Sequence, residues 1–99
     1  MFTIQIVNPP KNAVSWIPKI VGPTGSYSPD SPIGINDVYE FPLGTGLYYF
    51  EAKIFDSQGS VETKEVFDSI LAGRQPHEYW YDYSDNTLSE EGLKDIIIN

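Results

Sequence analysis

A chain of 99 residues, 40% hydrophobic and 14% aromatic, has room for a single domain spanning 1–99 and is too apolar to stay disordered. Fourteen acids against six Lys and Arg give a net charge of -8, which argues against nucleic acid and anionic membranes as partners, and the lack of cysteine excludes disulfides and thiolate metal sites. The opening Met1-Phe-Thr-Ile-Gln-Ile6 has neither the basic nor the apolar region of a signal peptide, and no apolar run approaches about 18 residues, so a soluble chain not secreted by that route is expected.

Phe2 to Val7 alternates, with Phe2, Ile4 and Ile6 on one face of a strand, and Asn8-Pro-Pro-Lys-Asn12 turns the chain. Ala13 to Val21 is a second strand with Val14, Trp16, Pro18 and Ile20 on one face. Pro18 has no N–H for a ladder, so this strand is expected at an edge or bulged. Residues 1–29 hold Lys11 and Lys19 and no acid, which makes this third the better candidate for burial or for contact with another subunit. Residues 22–34, with three Gly, three Pro and three Ser, are expected to be one long loop, read as a connector in preference to a functional loop.

A hairpin is expected next: Asp37 to Pro42, a Gly44-Thr-Gly46 break, a strand from Leu47 to Phe55, the Asp56-Ser-Gln-Gly59 turn, and Ser60 onward. Tyr48, Phe50, Ala52 and Ile54 form a core face. The opposite face, Leu47, Tyr49, Glu51, Lys53 and Phe55, is mixed but carries three large apolar groups, which calls for a covering helix, sheet or second subunit. Within residues 60–72, Val66, Phe67, Ile70 and Leu71 share a helical stripe, with Ser60 as N-cap and Gly73 as stop, and the second half is predicted helical. His77 to Tyr83 returns to period two, with His77, Tyr79, Tyr81 and Tyr83 on one face and Trp80 on the other. Thr87-Leu-Ser-Glu90 fits a capping box, and a last short helix is predicted over 88–98, docked by Leu93, Ile96 and Ile97.

No motif carries catalysis. His77 is the only histidine, no serine sits in a Gly-x-Ser-x-Gly elbow, and with fourteen acids a carboxylate pair arises by chance. Asp82 to Glu90 lacks the central Gly and twelfth-position Glu of a calcium loop, and Gly44-Thr-Gly46 lacks the spacing and Lys of a phosphate loop. No cofactor or metal is therefore expected. The aromatic run Tyr79, Trp80, Tyr81 and Tyr83 is a candidate platform for a glycan or an interface, with Tyr27 as a further ring for the glycan, and the competing reading is that one face is core and Trp80 packs under a loop on the other.

Gly46-Leu-Tyr48 through Asp56-Ser-Gln-Gly59 resembles the last long hairpin of PKD-type immunoglobulin-like domains, which implies a β-sandwich. In overall texture, Cys-free, rich in Tyr and Ile and ending Ile96-Ile-Ile-Asn99, the chain resembles the small proteins of archaeal filamentous viruses of the lipothrixvirus kind. That likeness implies a virion or host-cytoplasm location and a hot, acidic habitat. Independently, full protonation of the carboxylates would take the charge from -8 to only +7, and chemically fragile residues are few, so tolerance of heat and acid is expected.

The expected fold is α+β: an antiparallel sheet of about five strands with one or two short helices, with an immunoglobulin-like sandwich as the alternative. The expected function is a non-catalytic structural or interaction protein, homo-oligomeric and dimeric in its simplest form, using Leu47, Tyr49 and Phe55 of the mixed face and the Tyr79 to Tyr83 aromatics. A carbohydrate- or ligand-binding module is the alternative.

Overall fold

The computed structural model describes residues 2–22, 25–41, 46–72 and 77–90. Nine strands form there: β1 (Phe2–Val7), β2 (Ala13–Gly22), β3 (Gly25–Tyr27), β4 (Ile33–Gly34), β5 (Tyr39–Phe41), β6 (Gly46–Asp56), β7 (Val61–Ala72), β8 (His77–Asp82) and β9 (Thr87–Glu90). They make two sheets, a smaller one in the order β5-β1-β8-β9 and a larger one in the order β3-β2-β6-β7, with β4 also paired to β2. All pairs are antiparallel except β1 with β8, which run parallel from Phe2 beside His77 to Val7 beside Asp82.

This overturns the α+β expectation, because no helix occurs among the described residues. The stretch predicted as a helix within 60–72 is the long strand β7, held against β6 from Phe55–Val61 to Gly46–Ala72. The capping-box segment Thr87 to Glu90 is β9, paired with β8. The remainder of the predicted terminal helix, 91–99, lies outside the described residues. In the larger sheet β6, the first strand of its hairpin, lies beside β2, and β7 takes the edge.

The sheets pack face to face around one cluster: Ile4 and Ile6 of β1, Phe41 of β5, and Tyr79 and Tyr81 of β8 meet Trp16 and Ile20 of β2, Phe50, Ala52 and Ile54 of β6, and Val66 of β7. Tyr81 is the seam, stacked on Trp16 at a centroid distance of 6.4 Å and tilted against Phe50 at 5.1 Å. Such ring pairs add about 0.5–1.5 kcal/mol each beyond the apolar area they bury. The Trp16 indole N–H is buried without a hydrogen-bond acceptor among the described residues, a desolvation cost of about 1–3 kcal/mol set against that packing.

Pro18 is resolved by the sheet's outline. On one side Pro18 pairs with Ala52 of β6, while on the other β4 reaches only Ser15 and Trp16 and β3 only Ile20 to Gly22. The proline thus falls in the gap between the two short strands, where β2 is locally an edge and needs no second donor. The supposed long loop 22–34 is in fact broken up by β3 and β4, which cover the ends of that edge. Asp37 to Pro42 does not form a hairpin with β6 either, since β5 pairs with β1 in the other sheet.

Candidate functional site

Because β2 and β6 bury alternate residues, the register fixes what the larger sheet shows to water. Trp16, Pro18 and Ile20 of β2, Phe50, Ala52 and Ile54 of β6, and Val66 of β7 point inward and are buried. The outer face is then laid out in four rows across β2, β6 and β7. At one end Val21 lies beside Tyr49. Next come Lys19, Glu51 and Glu65, then Ile17, Lys53 and Thr63, and at the far end Ser15, Phe55 and Val61.

Tyr49 is 54% exposed and Val61 52%, with Val21 also exposed and Ile17 and Phe55 partly covered. The face is thus apolar at both ends and charged in the middle, with two lysines and two glutamates of mixed sign. Leu47 belongs to the same strand, but its side chain lies outside those described.

Beside Tyr49 the hairpin opens. The register passes from Tyr48–Ile70 to Phe50–Val66, so three residues of β7, 67–69, stand opposite one of β6. An irregularity of this kind spreads the strands, and an open cleft of about 480 Å3 lies there, lined by Val21, Tyr49, Phe50, Glu51, Glu65 and Val66.

The aromatic run of β8 is divided by the pleat. Tyr79 and Tyr81 are core residues, at 5% and 0% exposure, and present no ring face to a ligand. Trp80 points to the opposite side of the sheet, flanked by Gln5 of β1 and Ser89 of β9. Tyr83 is partly covered just beyond β8, and Tyr27 lies on β3. These rings are therefore not gathered into one exposed platform. The side chain of His77 lies outside those described.

What the β8–β9 turn builds instead is a polar clasp between the sheets. Asp82 accepts hydrogen bonds from Asn8 Nδ2 at 3.2 Å, from the Ser84 backbone N–H at 3.0 Å and from Ser84 Oγ at 2.6 Å. The Ser84 side chain and then Asn8 hold its carboxyl below the ordinary 3.8. The Tyr83 hydroxyl donates to Glu62 of β7 at 2.7 Å, and that bond is the main reason its pKa is raised. Lys64 pairs with Glu62 at 3.4 Å and sits 5.5 Å from the Tyr83 ring centroid.

Asn86, in the left-handed conformation at φ 55°, accepts from the Tyr81 hydroxyl at 2.8 Å and donates to the Glu65 carbonyl at 3.0 Å. Burial first, then the neighbouring Tyr83 and acids, pushes the Tyr81 phenol up to about 12. Glu62 and Lys64 thus lie on the inner side of edge strand β7, where charges discourage a further strand from adding.

Among the described residues no group of three or more His, Cys, Asp or Glu could hold a metal ion, and no helix is long and apolar enough to cross a membrane. No protein family, curated protein or solved structure matches the chain.

Proposed function

We propose that the protein is a non-catalytic interaction module that self-associates, using the outer face of the β2–β6–β7 sheet. The observation that carries this reading is that face itself. Exposed Tyr49 and Val21 at one end and Phe55 and Val61 at the other leave apolar surface in water on both sides of a charged band. A single exposed apolar residue needs no explanation, but a patterned strip on three adjacent strands does. Its mixed charge suits a copy of itself better than a strongly charged partner, because a two-fold interface must be self-complementary. Light scattering on the full chain tests the reading: a mass near twice 11.1 kDa is expected at high concentration, falling to the monomer in Tyr49→Asp. A strict monomer throughout the concentration range would sink it.

A second reading, a glycan-binding site, is favoured by the cleft at the same end of the face. Its exposed Tyr49 ring has a flat surface for a sugar, with the Glu51 and Glu65 carboxylates as hydroxyl acceptors. Unlike self-association, it would leave the molar mass unchanged.

A further inference from the structure

We infer, building on the self-association reading, that the partner is a second copy docked face to face about a two-fold axis that crosses β6 at Ala52, perpendicular to the strands. The argument starts from spacing. Along β6 the outward residues are Tyr49, Glu51, Lys53 and Phe55, and Ala52 is the midpoint of that series. An axis lying in the face at Ala52 exchanges Glu51 with Lys53 and Tyr49 with Phe55. Each glutamate then meets the other copy's lysine, and each tyrosine ring meets a phenylalanine, twice over by symmetry.

The flanking strands agree with this placement. On β2 the same axis sets Lys19 over Ile17, whose side chain can take the aliphatic stem of the lysine. On β7 it sets Glu65 over Thr63, a hydroxyl donor. The other in-plane axis, parallel to β6, would put Glu51 on Glu51 and Lys53 on Lys53 at the centre of the interface. Like charges there are strongly unfavourable, so the charge pattern selects the perpendicular axis. Sheets stacked in this way lie about 10 Å apart with strands within about 30° of each other, close enough for Tyr49 and Phe55 to touch.

Reversal of charge tests the register. Glu51→Lys and Lys53→Glu alone each create two like-charge contacts and should weaken dimerisation about tenfold or more in sedimentation equilibrium, whereas the double variant Glu51→Lys with Lys53→Glu should recover to within about threefold of the parent. Both sites are exposed or partly so, and circular dichroism checks that each variant is folded.

Cross-linking gives a second readout, because the chain has no cysteine. Treated with a short bis-maleimide, which spans facing strands about 10 Å apart where a direct disulfide cannot, an equimolar mixture of Tyr49→Cys and Phe55→Cys chains should form the mixed covalent dimer faster than either chain alone forms its own. Two other outcomes are decisive. A dimer whose affinity ignores all three charge variants overturns the register and leaves self-association standing; a parent chain that is monomeric overturns both.

Discussion

Phe50 and Phe55 are the same residue on the same strand, five positions apart and on opposite faces of the larger sheet. Phe50 is 1% exposed, wedged against Tyr81 and Trp16, whereas Phe55 remains partly open to water. The strand gives both the same backbone and the same local sequence texture. What separates them is the smaller sheet, which covers one face and leaves the other. Burial is thus decided by the facing layer, and the other face of β6 is left open among the described residues.

The largest expected effect sharpens that contrast directly. Phe50→Ala should cost about 3–5 kcal/mol in urea unfolding, because it removes a ring from the seam and leaves a cavity between two sheets. Phe55→Ala should cost no more than about 1 kcal/mol when measured on dilute, monomeric protein, yet should weaken self-association. Equal losses of monomer stability at the two positions would break the comparison, since both faces would then be core.

The next effect belongs to the buried side of the same contrast. Tyr81 is fully buried and its phenol is held near 12 in the folded chain against 10.0 when exposed. A raised pKa means that folding favours the neutral phenol. The stabilisation is therefore fully present below pH 10 and is lost as pH rises from there through about 12. Two units correspond to roughly 2–3 kcal/mol at full ionisation. Ultraviolet titration should show Tyr81 ionising last and together with alkaline unfolding, and Tyr81→Phe should delay that unfolding. A Tyr81 that titrated at pH 10 in the native protein would contradict its place in the seam.

The strands whose two faces differ were legible in sequence. β1, β2, β6 and β8 each have one buried and one wetter face, so alternation marks them. β7 was not legible, because Val61, Glu62, Thr63 and Glu65 are exposed and Lys64 is only partly covered at the sheet edge, while Val66, Phe67, Ile70 and Leu71 happen to fall at helical spacing. Pairing with β6 overrides that local pattern. β9 fails in the same way: four residues that fit a helix cap are claimed by β8.

The candidate site was half legible for a related reason. Tyr49 and Phe55 follow from the alternation of β6 alone, but Ile17, Lys19, Val61, Thr63 and Glu65 join them only through cross-strand register. Nor does alternation say which face of β8 is the inside, and the parallel pairing with β1 that turns Tyr79 and Tyr81 into the core joins residues about 75 apart in sequence.

The smallest expected effect lies in the clasp, which is polar, at the surface and remote from the outer face. Asp82 is held below its ordinary 3.8 by hydrogen bonds that only the folded chain makes, those of Ser84 and Asn8. A depressed carboxyl contributes stability that is present above the unfolded value and is lost as pH falls through the folded one. Asp82→Asn should therefore lower the melting temperature slightly near neutral pH and flatten its decline below about pH 4, where the parent loses this contribution. Dimerisation should not respond, because the hydrogen bonds of Asp82 run to Asn8 and Ser84 and involve no residue of the rows from Val21 to Val61. A variant that unfolded outright, or that lost self-association with the fold intact, would show that the clasp and the open face act as one unit. Their separate responses to pH and to concentration are what the arrangement of the two sheets predicts.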